Sequence, residues 1–180
     1  LKAGVVAVPI NTLYVEREVQ HQLNDAGAET ILVLSRYYPL IQKIRAQTSL
    51  KNVIATNIKE YFPPVLKLLF TLAKEKHEGD RQDIAGDANT YWFQALLSKA
   101  PAQPSPVDVQ PADTTVLLYT GGTTGVPKGA ELSHANIMAN AVMCRHWMHD
   151  IKEAKEVALT ALPLYHSFGM TTCMNLARFA

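Results

Sequence analysis

The sequence is short of cysteine, of net charge and of long apolar runs, and each shortage removes a class of protein. Only two cysteines are present, Cys144 and Cys173. They have no metal-ligand spacing and make no disulfide framework, which fits a reduced cytosolic setting. The net charge is +1, which gives no electrostatic footprint for nucleic acid. No uninterrupted apolar run reaches the roughly 18 residues of a membrane span. Hydrophobic residues make up 48% and charged residues 18%, so a disordered chain is excluded as well. A globular chain of 180 residues remains, long enough to bury one sizeable core. Its ends, Leu1 and Arg178-Phe179-Ala180, read as cuts in a longer sequence.

Glycine is scarce too, nine in all, yet Gly121, Gly122, Gly125 and Gly129 fall within nine residues. Thr120, Thr123 and Thr124 stand among them, and Lys128 follows. An apolar run, Val116-Leu117-Leu118, precedes this stretch and predicts a strand. Without a Cβ, the backbone N–H groups of such a loop can approach a ligand closely and form a concave anion site. Three hydroxyls and a lysine complete a cradle for a polyphosphate. A flexible surface turn is the plain alternative, but Gly/Ser linkers rarely carry this Thr-Thr/Lys arrangement. A Walker loop needs Gly-Lys-Ser/Thr, whereas Lys128 follows Pro127 and precedes Gly129. A dinucleotide fingerprint cannot be placed on these glycines either.

Earlier in the chain, Gly4–Pro9 predicts a buried parallel strand. Val15, Val19, Leu23 and Ala26 recur at helical spacing, and Gly27 marks a stop. Thr30 to Leu34 predicts the next strand, Tyr37 to Thr48 a helix, and Val53-Ile54-Ala55 a third strand. This alternation implies parallel pairing with right-handed crossovers. From Lys59 to Glu78 a broad apolar arc (Val65, Leu66, Leu68, Leu69, Phe70, Leu72) runs beside a narrow stripe of Lys67, Thr71, Lys74 and Glu78, with Pro63-Pro64 at the helix entry. Two readings stand: a helix lying in a membrane interface, or one packed on the rest of a larger protein.

Residues 79 to 89 read as a polar loop, and Tyr91 to Leu97 as a short helix or extended piece. Pro101, Pro104, Pro106 and Pro111 make a stiff connector. The expected organisation is an α/β part over 1–100, the connector over 101–113, and a phosphate-loop α/β part over 114–180. Ser133 is placed to cap a helix from His134. Val157 to Leu162 predicts a strand delivering Pro163-Leu164-Tyr165-His166-Ser167-Phe168-Gly169-Met170. A histidine at such a corner either packs there or faces a ligand. His146 and His149, three apart on a helix with no third ligand, read as surface or packing residues.

The stretch Tyr119-Thr-Gly-Gly-Thr-Thr-Gly-Val-Pro-Lys-Gly129 resembles the phosphate-binding loop of the adenylate-forming superfamily, which includes acyl-CoA synthetases, luciferases and peptide-synthetase adenylation domains. It departs at Gly121, where that pattern has Ser, and in this it is most similar to bacterial long-chain fatty acid–CoA ligases. Pro163–Met170 resembles a second motif of the superfamily, about forty residues on. Ala3–Asn11 and Gln22–Ala28 resemble its early α/β layer more weakly.

The resemblance implies an α/β fold of parallel-sheet layers with flanking helices, here part of an N-terminal domain. It implies ATP-driven activation of a fatty carboxylate to acyl-AMP and pyrophosphate, then transfer to coenzyme A, with Mg2+ bridging phosphate oxygens. Thr120, Gly121, Gly122, Thr123, Thr124, Gly125 and Lys128 would hold phosphates, and Thr123 would face the metal. Tyr165, His166 and Phe168 would line the acyl-carboxylate region, with His166 as the catalytic candidate. The superfamily's adenine loop, acidic metal ligand, ribose-binding Asp and distal Lys have no counterpart, so these residues alone are expected to be inactive. Expected partners are fatty acid, ATP and coenzyme A, no nucleic acid, and a membrane surface through 64–78. The expected location is cytoplasmic, peripheral at the inner membrane face. A fatty acyl-AMP ligase independent of coenzyme A, and a non-catalytic nucleotide-binding or interaction module, remain alternatives.

Overall fold

In the computed structural model, residues 3–103, 105–120, 126–152 and 155–177 are described. They form two compact units, 15–103 and the pair 3–14 with 105–177. The first is an α/β layer. Helix α1 (Glu16–Asp25) leads to strand β1 (Thr30–Leu34), helix α2 (Tyr38–Arg45) and strand β2 (Asn52–Thr56). Helix α3 (Pro64–Ala73), strand β3 (Thr90–Trp92) and helix α4 (Phe93–Leu97) follow. The three strands are parallel in the order β1-β2-β3, with Ile31 opposite Val53 and Ala55 opposite Trp92.

Local chemistry sets these boundaries. The Glu18 carboxylate accepts the Val15 N–H at 2.9 Å and so satisfies one donor at the start of α1. At its end Gly27 takes a left-handed φ of +59°. The Ala28 N–H then reaches the Leu23 carbonyl at 2.9 Å and the Gly27 N–H reaches Asn24 at 3.1 Å, a Schellman ending. Val19 and Leu23 of α1, Tyr38, Ile41 and Ile44 of α2, and Ile31, Val53 and Ala55 of the sheet are all buried. Burial of this apolar surface is the main stabilising term.

A polar network pins the irregular segment after α3. Asp80 is fully buried, and its carboxylate accepts from Arg36 Nη2 at 2.5 Å and Nε at 3.2 Å. That hydrogen bond raises the Arg36 pKa above its ordinary value. Asn57 Nδ2 donates to the Asp80 carbonyl at 3.0 Å and to Glu75 at 2.9 Å, and Lys59 closes on Glu75 at 2.6 Å. A buried carboxylate persists only with such partners. The expected loop over 79–89 is therefore irregular but held.

The second unit is built on a hairpin. Strand β4 (Thr114–Thr120) pairs antiparallel with strand β5 (Lys128–Ser133), and helix α5 (His134–Trp147) follows directly. Ser133 caps α5 reciprocally: its Oγ accepts the Asn136 N–H at 3.2 Å, while Asn136 Oδ1 accepts the Ser133 N–H at 3.0 Å. The next free donors, His134 and Ala135 N–H, reach the carbonyls of Asp113 and Pro111 at 3.1 and 2.8 Å. The proline-rich connector thus ends docked on the helix. A short helix, α6 (Ser167–Gly169), passes into a π-helical run over Met170–Leu176.

Three expectations need correction. Gly4–Pro9 is not a buried strand: Ala7 alone makes a parallel bridge, to Val116, and Val5 and Val6 are exposed. That bridge joins residues 3–14 to the hairpin unit, across the boundary drawn at the connector. Val157–Leu162 is not a strand, and Val157 is 98% exposed. A strand exists by its ladder, and among the described residues none pairs with this one. The helix read over 64–78 ends at Ala73, where Lys74 takes a non-helical conformation.

Candidate functional site

The glycine-rich stretch lies in sequence between strands β4 and β5. Thr120 pairs with Lys128 as the last register pair on its sides, and both are exposed. Gly121, Gly122, Thr123, Thr124 and Gly125, assigned to the phosphates and in the case of Thr123 to the metal, lie outside the described residues. Sequence reasoning missed β5, and so missed that Lys128 is a strand residue facing Thr120. The missing signal is weak, since Lys-Gly-Ala-Glu-Leu-Ser holds a single large apolar side chain, Leu132.

One pair back, Tyr119 stands opposite Gly129. A Cβ on Gly129 would come within 3.0 Å of Cε2 and Cζ of the Tyr119 ring. Glycine at this strand position is a packing requirement. At the far end, the Thr114 hydroxyl donates to the Glu131 carboxylate across an irregularity in the ladder between Thr114 and Val116.

The second motif is tied to the same hairpin. Val116 and Leu118 of β4 form one buried cluster with Met170, against which Ala7, Leu132 and Ile137 pack. Met170 N–H in turn donates to the His166 carbonyl at 2.8 Å. Apolar packing under β4 therefore joins the strand that ends at Thr120 to the turn that carries His166.

That turn is closely fitted. The His166 N–H reaches the Pro163 carbonyl at 3.1 Å, and His166 Nδ1 accepts the Phe168 N–H at 3.3 Å, making His166 the N-cap of α6. A side chain on Gly169 would overlap the Pro163 carbonyl oxygen and stand 3.0 Å from its carbon. Gly169 is thus the packed residue of the corner. The His166 imidazole and the Phe168 ring are exposed, and Tyr165 is half-buried. Among the described residues no three His, Cys, Asp or Glu gather as metal ligands. The described residues therefore supply no acidic set of the kind that usually accompanies phosphate-bound Mg2+.

The chain belongs to the AMP-binding enzyme family, whose pattern matches residues 1–180. It is 35% identical over 177 residues to the long-chain-fatty-acid–CoA ligase of Bacillus subtilis (strain 168), covering 97% of this chain and 31% of that protein. The chain therefore spans about a third of the length of the curated relatives it matches. Among solved structures it is similar to a long-chain-fatty-acid-CoA ligase from Archaeoglobus fulgidus, at 26% identity and a TM-score of 0.65, over 93% of this chain and 28% of that one. ATP-bound MatB from Rhodopseudomonas palustris shares the fold at 23% identity and a TM-score of 0.71, over 99% of this chain and 29% of that one.

Proposed function

We propose that the whole protein is an AMP-forming long-chain fatty acid–CoA ligase, using ATP, coenzyme A and a fatty acid. This chain supplies its phosphate-holding hairpin and one wall of the acyl-carboxylate region. The observation that carries the reading is the hairpin mouth. Thr120 and Lys128 pair on either side of the 121–127 stretch, and the core under β4 also anchors the His166 turn. The 35% identity to a curated ligase of that name supports the substrate class.

In this reading, a fatty carboxylate oxygen bonds to the α-phosphorus of ATP and the bond to pyrophosphate breaks. The thiolate sulfur of coenzyme A then bonds to the acyl carbon and the bond to AMP breaks. Negative charge accumulates on the leaving pyrophosphate, so charge stabilisation is the larger task. Thr120, Lys128 and the backbone of 121–125 hold the β- and γ-phosphates, each charge-assisted contact contributing about 1.5–3 kcal/mol. Were Mg2+ bound with the phosphates, it would supply further positive charge, and Thr123 is the residue of this chain that would face it. The N-cap bond occupies His166 Nδ1 as acceptor, which leaves Nε2 to carry the ring proton and donate to the carboxylate. Tyr165 and Phe168 flank it.

The reading places the protein in the cytoplasm. None of the described helices is long and apolar enough to cross a membrane. The experiment is pyrophosphate exchange by the whole protein with a panel of carboxylates, followed by thioester formation to test coenzyme A use.

A further inference from the structure

Strand geometry puts the Thr120–Lys128 pair and Met170 on the same side of the hairpin. Side chains alternate along a strand, so Val116, Leu118 and Thr120 share one face of β4. Residues directly opposite share that face, which adds Lys128, Ala130 and Leu132 of β5. The ladder is regular from Val116 to Thr120, so no bulge reverses this assignment. Met170 packs on this face: it is buried in one cluster with Val116 and Leu118, and Leu132 lies against it. Leu118 precedes Thr120 by two residues, about 7 Å along the strand.

The His166 turn is seated on Met170. Met170 N–H donates to the His166 carbonyl at 2.8 Å, and His166 N–H to the Pro163 carbonyl at 3.1 Å. The Thr172 hydroxyl donates to the Phe168 carbonyl at 2.8 Å, and Gly169 fits against the Pro163 carbonyl. A turn tied at these points moves as one piece with the residue that seats it. Met170 is also the first residue of the π-helical run to Leu176, a rare geometry that recurs at functional sites.

We propose that Met170 is a positioning residue for carboxylate activation, its side chain setting the gap between the Thr120–Lys128 pair and the His166 imidazole. This role rests on the ligase reading. In that reaction a carboxylate oxygen must meet the α-phosphorus while the pyrophosphate end is held, so the two holding points need a fixed separation. Met170 touches neither reactant and acts through the two elements it joins. A close-packed side chain passes a change in its volume on to its neighbours. Shortening Met170 lets the turn settle toward β4 and carries the imidazole with it.

The test is carboxylate-dependent pyrophosphate exchange by the whole protein, read as kcat and ATP KM well below Tm, beside a nitrogen NMR spectrum of its histidine rings. Met170→Ala should lower kcat by at least about tenfold. ATP KM should change by less than about threefold, because the β4–β5 ladder is kept. The ring resonances of His166, assigned by their loss in His166→Asn, should move. Met170→Leu, of nearly equal volume, should recover kcat to within about threefold. Ile41→Ala, in the core of the other unit, is the stability control: Tm falls comparably, with kcat and the His166 resonances unchanged. If alanine prevents folding, Met170→Val is compared in its place. Normal kcat in the Met170 variant, or unmoved His166 resonances, overturns the proposal. So does an equal loss of kcat in Ile41→Ala, which would make the effect one of general stability. Absence of exchange by the unmodified protein overturns the ligase reading and this role with it, whereas exchange that Met170→Ala leaves intact overturns this role alone.

Discussion

Tyr119 and Gly129 face each other across the β4–β5 ladder, and a methyl on the glycine would stand 3.0 Å from the tyrosine ring. The contact lies one register pair from Thr120 and Lys128, the last pair before the glycine-rich stretch. Gly129→Ala should therefore cost stability although alanine ordinarily suits a strand better than glycine. About 1 kcal/mol is expected from overpacking. In a Tyr119→Ala background the cost should vanish, and a double-mutant cycle on Tm of the whole protein reads that coupling directly. Additive effects would mean that the ring yields freely.

Gly169→Ala should be worse. The obstructing atoms belong to the Pro163 backbone, which has no rotamer to escape into. The upper part of the roughly 1–3 kcal/mol range is expected, read as a lower Tm and a lower yield of folded protein. A tolerated alanine would show that the 162–170 turn is loosely held.

His166 separates folding from rate. Alanine removes both the N-cap acceptor and the imidazole, at a structural cost of about 1 kcal/mol. Asparagine retains a capping oxygen and removes the imidazole. His166→Asn should therefore keep Tm near that of the unmodified protein while slowing acyl-adenylate formation at saturating ATP. Full rate in His166→Asn would reduce the histidine to a cap.

The Tyr38 hydroxyl donates to the Asp87 carboxylate, and Gln42 Nε2 donates to the same oxygen at 2.7 Å. The Tyr38 hydrogen bond, then that of Gln42, holds the Asp87 carboxyl below its usual range. The native state thus prefers the carboxylate. Its contribution is present above the unfolded value of about 3.9 and is lost as pH falls through the lower folded value. Tyr38 is pushed up, first by burial and then by Asp87, so its contribution is present below about pH 10 and fades as pH rises through its raised value. Asp87→Asn should flatten the acid limb of Tm against pH, measured from about pH 6 down to about pH 2. An acid limb identical to that of the unmodified protein would contradict the assignment.

What the sequence made legible follows local rules. Thr30–Leu34 appears with its expected bounds because a β-rich run is flanked by turn chemistry, and α1 ends where Gly27 permits a left-handed residue. Ser133 capping of α5 was readable from the serine just before the helical run, while the reciprocal bond from Asn136 was not. Long-range partners were not readable. Nothing local says that Ala7 bridges Val116, that Asp80 is buried against Arg36, or that Lys128 begins a strand. Val157–Leu162 has strand composition and, among the described residues, no partner to pair with. In α3 the helical period was legible, but which side faces the protein is decided by Glu60 and Phe62, outside the helix.

The central claim is that the hairpin mouth holds the phosphates of ATP while a long-chain carboxylate is activated. Carboxylate-dependent exchange of labelled pyrophosphate into ATP by the whole protein, with and without Thr123→Val plus Thr124→Val, tests it most directly. The account predicts exchange that requires a long-chain fatty acid, and a fall of about tenfold to a thousandfold when both hydroxyls are removed. Exchange that no long-chain carboxylate supports, or that the double variant leaves unchanged, would contradict it.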